Sequence, residues 1–180
     1  MNISYNWLKE YVDFTLTPDE VAAALTSIGL ETGSVEEVQT IKGGLEGIVI
    51  GEVITCEPHP NSDHMHVTTV NLGEGDPVQI VCGAANVAAG QKVVVATLGT
   101  KLYDGDECFT IKKSKLRGVE SNGMICAEEE IGIGTSHEGI IVLPADAVPG
   151  TPAKDYYNIK SDYVLEVDIT PNRADACSHY

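Results

Sequence analysis

Between residues 48 and 143 the chain breaks repeatedly into short β-type runs, and few folds accommodate that texture. The runs 48–55, 66–72, 78–82, 92–98, 109–111 and 140–143 are dominated by Val, Ile and Thr, residues that suit a pleated, half-buried surface. Between them stand clusters such as His59-Pro60-Asn61-Ser62-Asp63, Gly73-Glu74-Gly75-Asp76-Pro77 and Ser121-Asn122-Gly123. Those residue types reverse a chain through positive φ, a fixed φ or a side chain bonded to its own backbone. Strands this short bury little individually and must close on one another. Five or six of them in about 110 residues suit a small Greek-key barrel, with the OB-fold the leading candidate. Residues 128–131 add a helical turn.

The flanks read differently. Thr17-Pro18-Asp19-Glu20 combines a hydroxyl N-cap, proline at the first helical position and a glutamate placed to reach back. Val21, Leu25 and Ile28 follow on one helical stripe, and Gly29 supplies a stop. Trp7, Leu8 and Tyr11 suggest a shorter helix before it. Beyond Pro149-Gly150-Thr151-Pro152, residues 163–169 alternate, with Leu165, Val167 and Ile169 on one face and Glu166 and Asp168 on the other. That half-buried strand has no later partner, whereas residues 31–38 can supply one. The fold class is therefore α+β, mainly β: a barrel (40–150) inserted into a small α+β module made from residues 1–39 and 151–180. Residues 171–180 read as a turn entering a helix that stops short, so an N-terminal piece of a longer protein is expected.

The 180 residues are 43% hydrophobic and 21% charged, enough for one sizeable core or two small ones. Eleven Lys and Arg against 27 Asp and Glu leave a formal charge of −16, which excludes a general nucleic-acid or anionic-membrane coat. Any phosphate contact must be local. No apolar run approaches the roughly 18 residues of a membrane span, and no basic leader precedes an apolar stretch, so no membrane association and a cytoplasmic location are expected. Cys56, Cys82, Cys108, Cys126 and Cys177 are odd in number and scattered, and read as reduced, small buried hydrophobes.

Four of the cations sit within six positions: Lys112, Lys113, Lys115 and Arg117. In an extended stretch Lys113, Lys115 and Arg117 share a face while Leu116 points inward. Such a row either tracks a phosphate backbone or protects a solvated edge strand, and spacing alone supports both about equally. Physiological salt, with a Debye length of about 8 Å, damps the distant carboxylates. The barrel contains only two aromatic residues, Tyr103 and Phe109, so a structured RNA read by shape fits better than a single strand held by stacking. Cys56, His59, Asp63, His64 and His66 crowd one connection, but Pro58 and Pro60 favour a rigid turn with the histidines in solvent over a metal site. The run Cys82-Gly83-Ala84-Ala85-Asn86 fits a crowded barrel corner, or a surface that a partner's backbone approaches closely. Glu128, Glu129 and Glu130 read as a solvated charge run. No nucleotide-binding, hydrolase or zinc-protease motif is present, so neither a catalytic residue nor a metal site is expected in this chain.

Five blocks go further: ISYNWLKEYVDF (3–14), HPNSDHMHV (59–67), IVCGAANVAAGQKVVVA (80–96), IKKSKLRGVESNGMICAEEEIGI (111–133) and TPNRADACS (170–178). In them the chain resembles, along essentially its whole length, the N-terminal part of the beta subunits of the bacterial-type phenylalanine–tRNA ligase family. The middle three blocks are also similar to the tRNA-binding OB domain of several synthetases. The resemblance implies an intact α2β2 enzyme, built with an alpha subunit and a second beta subunit, that uses ATP and magnesium to attach phenylalanine to its tRNA. The synthetic and editing sites would lie outside this chain, which itself needs no cofactor. It also implies tRNA-binding positions at Asn61, Asp63, Asn86, Lys115, Arg117 and Ser121. The family's usual lysine after the loop aspartate is replaced here by His64, followed by Met65.

Overall fold

A computed structural model describes residues 1–104, 107–136 and 138–176. The chain divides into two compact units, one of residues 41–159 and the other of residues 1–40 with the chain from Lys160 onward. Strands and helices are numbered along the chain.

The first unit is a three-stranded antiparallel sheet with two helices. Its strands β1 (Asn2–Ser4), β2 (Glu31–Gln39) and β13 (Ser161–Asp168) pair with β13 in the centre, so the two ends of the chain share one ladder. Leu165 lies opposite Val35 and Ile3. The alternation along β13 works as its residue types dictate: Leu165 and Val167 are fully buried, while Glu166 and Asp168 are exposed. Helix α1 (Tyr5–Tyr11) and helix α2 (Pro18–Ser27) contribute Tyr5 and Val21 to the same core. At the start of α2 a full capping box forms, Glu20 Oε2 accepting from the Thr17 amide at 2.7 Å. At its end Gly29 takes φ +87° and donates to Thr26, and the Leu30 amide donates to Leu25, both at 3.0 Å, closing a Schellman motif.

The second unit is a nearly closed antiparallel barrel of the OB type. Its main sheet runs β11 (Met124–Ile125), β6 (Lys92–Ala96), β3 (Ile48–Pro58), β4 (His66–Asn71) and β5 (Val78–Cys82), with β12 (Val142–Leu143) also on β6. Two hairpins complete it, β7 (Lys101–Asp104) with β8 (Glu107–Thr110) and β9 (Ser114–Leu116) with β10 (Val119–Ser121). Strand β6 is buried on both faces. Val93 and Val95 pack with Val53, Val70 and Ile80, while Val94 and Ala96 pack with Ile48, Leu102 and Cys126. A 3-10 turn at Glu129–Ile131 and a short helix α3 (Ala153–Tyr156) sit at the second cluster, where Ile131 and Ala153 are buried. Residues 151–159 thus pack with the barrel, past the composition change at Pro149.

Among the features not apparent in the sequence, two concern the barrel's hairpins. Strand β7 lacks a β-branched run and forms through pairing with β8. The segment after Ile111 is a hairpin rather than one extended stretch.

Candidate nucleic-acid interface

Leu116 pairs with Val119, which leaves Arg117 and Gly118 as a two-residue turn. Both take the left-handed region, at φ +47° and +97°, as a type I′ hairpin turn requires. Gly118 adopts it freely, and Arg117 follows because the turn needs two such residues in succession. The expected single row is therefore corrected. The two-residue period ends at Leu116, which is 38% exposed rather than inward, and Arg117 projects from the turn.

Lys113 and Lys115 do share a side. Glu120 stands opposite Lys115 in the ladder, and its carboxylate lies 2.9 Å from the Lys113 ammonium. The hydrogen bond from Lys113, helped by the charges of both lysines, holds the Glu120 carboxyl below its ordinary value. With side chains 58% and 55% exposed, that pair is screened by water and leaves Lys113 exchangeable between Glu120 and another anion. Lys112, Lys115 and Arg117 are exposed.

The loop after β3 grips this hairpin. His59, only 4% exposed, accepts from the Asn61 amide at its Nδ1 at 3.0 Å, and its Nε2 lies 3.1 Å from the Leu116 carbonyl. The Asn61 side-chain amide donates to the Arg117 carbonyl at 3.0 Å, and the Arg117 guanidinium donates to the Asn61 carbonyl at 3.3 Å. The expectation that the histidines stand in solvent holds for His64 and fails for His59 and for His66, which is half-buried. A turn that must meet a partner strand offers its imidazole a buried niche. With both His59 nitrogens engaged, the crowded connection is a latch. Among the described residues no group of three or more His, Cys, Asp or Glu side chains is placed to hold a metal ion. Asp63 is exposed in the same loop.

Two positions implied by resemblance serve the barrel itself. Asn86 donates from Nδ2 to the Ile140 carbonyl at 2.9 Å and accepts at Oδ1 from the Ile140 amide at 3.0 Å. Ser121 is 2% exposed; its hydroxyl accepts from the Val81 amide and donates to the Gly123 carbonyl, both at 3.0 Å. It stitches β10 to β5 where no ladder forms, aided by Gln79 donating to the Glu120 carbonyl at 2.7 Å. Ser121 is buried, whereas Asn86 is exposed with its amide bonded to Ile140.

Beside the hairpin a cleft of about 650 Å³ opens, lined by Gly83, Ala84, Ala85, Lys112, Ser114 and Leu116 among others. A Cβ added at Gly83 would meet nothing within 4 Å, so the run borders open space there, while its Asn86 end is packed closely against Gly139. Phe109 is 45% exposed on β8, and the Tyr103 ring lies 5.7 Å from the Lys42 ammonium. Of the cysteines, Cys82 and Cys126 are buried and Cys56 partly so, but Cys108 is exposed on a hairpin edge, contrary to expectation; Cys177 lies outside the described residues. Burial pushes the Cys126 thiol up to about 12.

Residues 48–152 match the family described as "Putative tRNA binding domain". The chain is 89% identical, over 180 residues, to the phenylalanine–tRNA ligase beta subunit of Bacteroides thetaiotaomicron, covering 100% of this chain and 22% of that protein. It is 69% identical over the same span to the corresponding subunit of Porphyromonas gingivalis, again covering 22% of it. The chain therefore spans about a fifth of the length of these relatives. Among solved structures, a MetRS-related protein from Pyrococcus horikoshii aligns with a TM-score of 0.43 at 20% identity, covering 58% of this chain and 85% of that one.

Proposed function

Because this chain belongs to the putative tRNA-binding domain family, we propose that it is the tRNA-contacting and structural N-terminal region of a phenylalanine–tRNA ligase beta subunit. The contact surface is the hairpin 112–117 together with Asn61 and Asp63 of the loop after β3. The observation that carries this reading is the local concentration of exposed cations, Lys112, Lys115 and Arg117, on a hairpin beside an open cleft. Phosphate oxygens attract such side chains at contact distance even when the remainder of the surface is anionic, since salt screens the remainder. With little exposed aromatic surface nearby, recognition is by backbone and shape.

In the intact cytoplasmic enzyme, an α2β2 assembly with alpha subunits and a second beta subunit, ATP and magnesium would serve phenylalanine activation and transfer to tRNA at sites outside these residues. The role of this region is to bind and orient the RNA. Replacing Lys112, Lys115 and Arg117 together by alanine in the full-length enzyme is expected to weaken tRNA binding. The slope of log affinity against log salt should become shallower by about 0.7–0.9 for each phosphate that the variant no longer neutralises. An unchanged slope refutes RNA binding by this hairpin.

The charge of −16 and the Lys113–Glu120 pair favour a second reading, a subunit-assembly scaffold that barely touches RNA. In that case the triple variant binds tRNA normally, and substitutions in the α+β module shift the subunit equilibrium instead.

A further inference from the structure

We propose that His59 is a positioning residue, whose imidazole, held in one tautomer, fixes the left-handed Arg117 turn and so the direction in which the hairpin presents its cations. This rests on the hairpin being the surface that meets RNA. The chemistry of the two partners sets the tautomer. A backbone amide only donates, so the Nδ1 facing Asn61 carries the lone pair; a carbonyl only accepts, so the Nε2 facing Leu116 carries the hydrogen. A neutral imidazole meets both demands at once and spans the two loops, which are 57 residues apart in sequence.

The turn needs such a hold. A long side chain at φ +47° is uncommon and persists only where its surroundings over-determine it. Here the surroundings are three bonds, from His59 to the Leu116 carbonyl, from the Asn61 amide to the Arg117 carbonyl, and from the Arg117 guanidinium back to the Asn61 carbonyl. The loop is also closed by two bonds that do not involve the imidazole, the His59 amide donating to the Met65 carbonyl at 3.0 Å and the Ser62 amide to the His59 carbonyl at 3.3 Å. A variant that keeps an acceptor for the Asn61 amide therefore tests the bond to Leu116 with the loop still closed.

The test uses the full-length enzyme with its alpha subunit. His59→Asn keeps an acceptor near the Nδ1 position and removes the donor to Leu116, whereas His59→Gln places an amide nitrogen near the Nε2 position. His59→Asn is expected to raise the KM for tRNA about fivefold. Amide exchange at residues 114–121 should quicken, while tRNA-independent ATP–pyrophosphate exchange stays unchanged; His59→Gln should restore most of the wild-type behaviour. In an enzyme already carrying Arg117→Ala, the effect of His59→Asn should shrink, because the two act through one turn. A wild-type KM in His59→Asn, where Lys115→Ala with Arg117→Ala raises it, overturns the positioning role and leaves RNA binding by the hairpin standing. If that double variant is also silent, the functional reading fails and this inference with it. Should His59→Asn not fold, His59→Gln decides: protection at 114–121 kept with a near-normal KM supports the latch, and fast exchange there with a normal KM refutes it.

Discussion

The amide of Asn86 commits its donor and its acceptor to one backbone position, Ile140, in the manner of a strand partner. Gly139 next to it is built for that approach, since a Cβ there would run into the Asn86 side chain. Asn86→Ala is expected to destabilise the barrel by about 1–3 kcal/mol, because a bonded amide and carbonyl lose their partners. The salt slope of tRNA binding should not change; a fall in slope at unaltered stability would place Asn86 against the RNA after all. Resemblance nominated Asn86 and Ser121 by motif position, and motif position does not say whether an amide or hydroxyl is committed to the barrel's own backbone. The cysteines show the same dependence on surroundings. Cys126, with its thiol raised to about 12 by burial, and buried Cys82 are expected to resist alkylation in the native protein, while exposed Cys108 reacts before either. Peptide mass spectrometry after a timed iodoacetamide pulse reads the order, and early labelling of Cys126 would contradict it.

Among the elements, β1 and α1 are tied to β13 by one carboxylate. Asp162 accepts from the Ser4 hydroxyl, from the Asn6 amide at 2.9 Å and from the Tyr163 amide at 2.7 Å. Burial pushes this group up, but the bonds from Ser4, Asn6 and Tyr163 outweigh it, and the carboxyl lies below its ordinary value. A depressed carboxylate stabilises the fold above its unfolded-state value and loses that contribution as pH falls through the folded one. Denaturant midpoints of the module should therefore drop as pH is lowered through and below the ordinary carboxylate range, and Asp162→Asn should flatten that limb. A variant that keeps the full acid dependence would assign it to other carboxylates. Elements with local signals were legible: the capping box of α2 sits within four consecutive residues, and the β13 alternation needs only the two-residue period. The β9–β10 hairpin was not, because Arg-Gly is a less usual pair for a type I′ turn than Asn-Gly, and the partners that hold it lie in the loop after β3.

At the scale of the molecule, the barrel is inserted between two residues that are already neighbours. Gln39 pairs with Ser161, and the Thr40 hydroxyl donates to the Lys160 carbonyl at 3.2 Å. Joining Thr40 to Lys160 through an Asn-Gly turn, with residues 41–159 excised, is expected to leave a cooperatively unfolding α+β module, since that ladder can be closed by a tight hairpin. Loss of cooperative unfolding in the excised protein would mean that the module depends on the barrel. Sequence alone determined the two N-terminal helices and the longer strands, that residues 31–38 pair with residues 163–169, and where the scarce cations cluster, because caps, period-two alternation and charge density are local properties. Tertiary structure decided that Arg117 is a turn residue, that Glu120 shares the lysines, that Asn86 and Ser121 bond to the barrel's own backbone and that His59 is a latch. Each of those outcomes depends on which backbone group or side chain another segment brings within hydrogen-bond reach, and for the latch that segment is 57 residues away.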